Sequence, residues 1–97
     1  MRIFSKSTLK KFWEQHADSE QALKTWYEEA DEAVWKTPLD IKKVYPKASI
    51  VADNRVVFNI CGNKYRLVVK FNYEKEWAFV RFIGKHSDYD EIDVTLI

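Results

Sequence analysis

Apolar residues recur every three or four positions through the first 45 residues and every second position after that, a change of period that divides the chain into helices and strands. Leu9, Phe12, Trp13 and His16 share one stripe of a first helix. A second helix starts at Asp18 or Ser19, where Asp18 and Gln21 have capping-box spacing; its stripe is Leu23, Trp26, Tyr27, Ala30, Ala33 and Val34. Thr37-Pro38 opens a third, because proline at the first helical position gives up no bonded amide. That short helix carries Leu39, Ile41, Val44 and Tyr45 and stops at Pro46.

The remainder reads as strands. Asp53-Asn54 is a turn before a strand over 56–61, and Gly62-Asn63 is a two-residue hairpin leading to a strand over 65–71. A turn over 72–76 leads to a strand over 77–83, and Arg2-Ile3-Phe4 can add an edge strand. The expected fold class is α+β: one domain over residues 1–97, its N-terminal helices packed on one face of a small twisted antiparallel sheet. Alternation assigns Val56, Phe58, Ile60, Tyr65, Leu67, Val69, Phe71, Ala78, Val80 and Phe82 to the face beneath the helices. The opposite face gathers Asn59, Arg66, Lys70 and Arg81 around Val57, Val68 and Phe79, with Ile83 on the same side.

Composition narrows the class. Of the 97 residues, 46% are hydrophobic and 32% charged, which is globular rather than disordered. Four tryptophans exceed what so small a core needs and suggest an apolar contact surface. Cys61, expected half-buried at a strand end, is the only cysteine, so no internal disulfide forms; no stretch has membrane-span length, and a soluble cytoplasmic protein without membrane attachment is expected. The net charge of +1 hides an asymmetry. Residues 18–32 hold six acidic side chains against Lys24, whereas residues 55–85 hold seven basic ones against Glu74 and Glu76. A basic sheet face can attract a polyanion while the molecule as a whole stays near neutral.

The chemistry follows from that face. Cations neutralise phosphates and an aromatic ring offers a base something to stack on, although a solvated sheet with ordinary surface cations shows the same pattern. The segment 84–90 places His86 and Tyr89 at its edge, and imidazole is the side chain that exchanges protons near neutral pH. His16, on a helix stripe, reads as packed structure. Two histidines and one cysteine in separate elements supply no metal site, and phosphate-binding glycine loops and serine-nucleophile elbows are absent, so no cofactor is expected.

Several strings together carry a resemblance. Asn54-Arg55-Val56-Val57-Phe58-Asn59-Ile60, Gly62-Asn63-Lys64-Tyr65-Arg66 and Phe82-Ile83-Gly84-Lys85-His86, followed by Tyr89-Asp90, resemble the HigB family of toxins, and Trp35-Lys36-Thr37-Pro38 agrees. The resemblance spans nearly the whole chain. It implies a RelE-like fold and ribosome-dependent cleavage of translated messenger RNA. It further implies a HigA-like helix-turn-helix antitoxin as partner, with operator DNA reached only through the antitoxin complex. On that reading the catalytic candidates are Arg66, Lys70, Arg81, His86 and Tyr89, and the RNA-binding candidates are Arg55, Asn59, Lys64, Phe79 and Lys85. Arg66 and Arg81 would clamp phosphate, Lys70 would add charge or act as base, and His86 would carry the proton with Tyr89 beside it. The alternatives are a non-catalytic RNA- or ribosome-binding module using the same face, and a protein–protein interaction domain built on the tryptophans and the acidic helix.

Overall fold

Helices form where the apolar stripes require them. The computed structural model describes residues 1–97 and places α1 at Lys6–Gln15, α2 at Glu20–Glu32 and α3 at Pro38–Val44. Leu9 and Trp13 of α1, Leu23, Trp26 and Ala30 of α2, and Ile41 of α3 are buried. α3 starts as its sequence dictates: Pro38 lies in its first turn, and Thr37 and Asp40 form a reciprocal capping box. Asp18 and Gln21 form no such box. A 3₁₀ turn over Ala17–Ser19 precedes α2, and Asp18 is drawn to the sheet by Lys64 and Tyr65, away from the helix amides. Val34 lies beyond the end of α2 and is exposed.

The sheet has five strands: β1 (Arg2–Phe4), β2 (Ser49–Val51), β3 (Arg55–Ile60), β4 (Tyr65–Asn72) and β5 (Trp77–Lys85), in the order β1-β5-β4-β3-β2. β3, β4 and β5 form the expected antiparallel meander, but β1 runs parallel to β5, so the sheet is mixed. β2, unforeseen in the sequence, joins β3 through a turn in which Asp53 and Asn54 are both left-handed, at φ 58 and 60. The β3–β4 connection spans Cys61 to Lys64 rather than two residues, with Cys61 and Gly62 left-handed. Cys61 is exposed there, and its thiol lies 3.2 Å from the Asp18 carbonyl oxygen.

One core of 18 buried residues fills the space between helices and sheet. Large rings meet edge to face within it, as with Trp26 on Phe58 (5.4 Å) and Trp35 on Phe71 (5.9 Å). His16 stacks on Phe12 at 4.3 Å, the packed role expected of it. Truncating a fully buried leucine such as Leu9 or Leu67 would cost about 2–5 kcal/mol. Trp13, Trp26 and Trp35 are all core residues, so packing rather than an exposed apolar patch accounts for three of the four tryptophans.

Candidate nucleic-acid interface

A bulge decides which side chains reach the face away from the helices. Val68 pairs with Phe82 but Val69 pairs with Val80, so Arg81 is the extra residue between them. The bulge reverses the parity that simple alternation assigns: Ile83 packs against the core, and Phe82 shares the open face with Val68. The Phe82 ring lies over Gly84, where an added Cβ would come within 2.6 Å of it, and 6.4 Å from the ring of Tyr89.

Across β3, β4 and β5 the register builds rows on this face. Asn59, Arg66 and Gly84 form one, Val57, Val68 and Phe82 the next, and Arg55, Lys70 and Phe79 the third. Val57 and Val68 are buried yet stand outside the core cluster, so another part of the chain covers them. The C-terminal segment flanks this row on both sides. It leaves β5 through the short helix α4 (His86–Tyr89), passes Phe82, and ends where Arg55 Nε donates to the Ile97 carbonyl oxygen at 2.6 Å.

The expected RNA contacts therefore divide. Arg55 is 6% exposed and holds the C-terminal segment, which removes it from any free surface. Lys64 is ion-paired to Asp18 at the helix–sheet junction. That pairing, followed by the Tyr65 hydroxyl, holds the Asp18 carboxyl below its usual range, and Asp18 in turn raises Lys64 and Tyr65. Lys85 pairs with Tyr65 in register, on the helical side of the sheet. Asn59 and Arg66 are half-buried, and Arg66 leans toward the hairpin, 3.3 Å from the Asn63 carbonyl oxygen.

Lys70, Phe79 and Arg81 come together. They line one hollow of about 600 Å³ with Asn54, Asn72 and Trp77, and neither Lys70 nor Arg81 is ion-paired. His86 and Tyr89 sit at the opposite end of β5, near the Arg66 row. His86 Nδ1 is 3.0 Å from Asp90 Oδ2, an arrangement that orients the ring and leaves Nε2 as the free nitrogen. The five catalytic candidates thus form two groups, with Arg81 and His86 roughly 16 Å apart if measured at strand rise. Asn54, Asn72 and Trp77 were not among the residues expected here. The alternation of β5 around Trp77 and Phe79 was the available signal.

Residues 19–92 match a family model described as HigB toxin, RelE-like toxic component of a toxin-antitoxin system. Over 92 residues the chain is 25% identical to the mRNA interferase toxin HigB of Escherichia coli K12, covering 93% of this chain and 88% of that protein. The mRNA interferase HigB of Shigella flexneri matches over the same shares. That of Escherichia coli O6:H1 is 23% identical over 94 residues, covering 95% of this chain and 91% of the other.

Proposed function

This chain belongs to the HigB toxin family, the RelE-like toxic components of toxin-antitoxin systems, and we propose that it cuts translated messenger RNA on the ribosome and is silenced by a HigA-like helix-turn-helix antitoxin. Operator DNA is then met only through the antitoxin complex. The observation that carries the reading is the pairing of two unengaged cations, Lys70 and Arg81, with the Phe79 ring in one hollow. Cations and a ring are what a single RNA strand requires of a protein surface.

The strand lies along β5. Lys70 and Arg81 grip one phosphate, and Arg66, His86 and Tyr89 act on another nearer α4. There the RNA 2′-OH attacks the adjacent phosphorus, the bond to the 5′-oxygen breaks, and a 2′,3′-cyclic phosphate and a 5′-hydroxyl result. His86 carries the proton through Nε2 while Asp90 steadies the ring, and Tyr89 shares the acid role. Arg66 turns from the hairpin carbonyl to the phosphorane, where guanidinium matches its oxygens.

Programmed ribosomes carrying a defined message test this. New 5′-hydroxyl ends that disappear with His86→Ala are expected. Protection of the message without new ends would instead establish a non-catalytic ribosome-binding module.

A further inference from the structure

The four tryptophans part company in this fold. Trp13, Trp26 and Trp35 are buried in the core, whereas Trp77 is half-buried on the open face. Its neighbours in the sheet are Asn72 of β4 and Arg2 of β1, so strands on both sides hold it. Trp77 meets Phe4 edge-on at 5.8 Å and Phe79 at 6.1 Å, and Phe4 stacks on Phe79 at 4.8 Å. The Lys75 ammonium lies 4.8 Å from the centre of the Trp77 ring, a cation–π contact that a ligand on that face has to displace.

Of these rings Trp77 and Phe79 line the hollow, and the polar groups on its rim change along its length. Lys70 pairs with Phe79 in register and Asn72 with Trp77, while Arg81, Asn54 and Glu74 complete the rim. Cations suit a phosphate. Amides and a carboxylate beside an indole suit a nucleobase, which has a flat face to stack and an edge of donors and acceptors. We propose that this hollow is a base-binding subsite for single-stranded RNA. One base stacks on Trp77, its edge toward Asn72 and Asn54, with its own phosphate on Lys70 and Arg81. The subsite rests on the RNA-cleaving reading above and adds the residue that grips the strand away from the bond being cut. Lys75 swings off the indole when the base arrives.

The test uses a 2′-O-methyl RNA hexamer, which cannot be cut, and an abasic strand of equal phosphate number. Binding to the full chain is followed by tryptophan fluorescence, with Trp77→Phe identifying the contribution of Trp77, and independently by anisotropy of a labelled strand. The hexamer is expected to quench Trp77 and to bind the wild-type protein roughly tenfold more tightly than the abasic strand. Trp77→Ala should erase that difference and Trp77→Phe should restore most of it. Equal affinity of the wild-type protein for both strands, which needs no variant, overturns the subsite. So does unchanged hexamer affinity in a folded Trp77→Ala protein. Cleavage is a separate readout: a protein that cuts no message but binds through Trp77 refutes the nuclease and keeps the subsite, and full cutting with no base preference does the reverse.

Discussion

One face of one sheet holds its cations in two conditions. On the β3 side, Arg55 is buried, its guanidinium held by the main-chain oxygens of Ile97 and Asp53 and 3.9 Å from the Asp53 carboxylate. On the β4–β5 side, Lys70 and Arg81 are exposed beside rings and have no carboxylate partner. Both halves carry a similar charge in sequence. What separates them is which neighbour reaches the cation first, an oxygen of the same chain or an aromatic surface that leaves the charge available. A basic strand is therefore a polyanion site only where the fold leaves its cations unspent.

The largest test of this contrast is His86→Ala, which should lower the rate of message cleavage by about 10²–10⁴ and leave the thermal midpoint unchanged. Cutting at the wild-type rate would remove α4 from the chemistry. Next in size, Arg55→Ala should destabilise the fold by about 1–3 kcal/mol in urea titrations, because it strands the Ile97 carbonyl and empties a buried position. Amides of residues 90–97 should then exchange faster. If they do not, the Arg55 bond is not what keeps that half covered.

A smaller effect separates the two halves directly. Lys70→Gln should reduce the salt slope of hexamer binding by about one, and Arg55→Gln should leave it unchanged. Equal slopes would mean that the C-terminal segment lifts when RNA binds. The smallest effect concerns Asp18. Its folded carboxyl is held below its ordinary value of 3.8, so its contribution to stability is present above that value and fades as pH falls through the lower folded one. Denaturant midpoints measured from pH 5 to pH 2 should fall further for the wild-type chain than for Asp18→Asn.

Features decided by neighbours in sequence were legible. The Thr37-Pro38 start, the helix stripes, the Asp53-Asn54 turn and the β3–β4–β5 meander all rest on local preferences. The failures share a different cause. Arg55 meets Ile97 across 42 residues and Lys64 meets Asp18 across 46, distances at which spacing carries no information. The bulge at Arg81 exists only relative to Val68 and Val69 on another strand, so alternation within β5 assigned Phe82 and Ile83 to the wrong sides. β2 is three residues long, too short to show a period. In the candidate site, alternation places the cations, Phe79 and Trp77 on one face, but the role of Trp77 required the ring contacts, and the split between Arg81 and His86 required the strand register.

The parallel pairing of β1 with β5 ties residue 2 to residue 77. Such a long-range closure must wait until most of the polypeptide has been synthesised. A nascent chain emerging from the ribosome exposes its helices first and cannot assemble the Lys70–Arg81 hollow until Trp77 to Lys85 has left the exit tunnel. The strand order therefore makes this hollow one of the last parts of the molecule that can form.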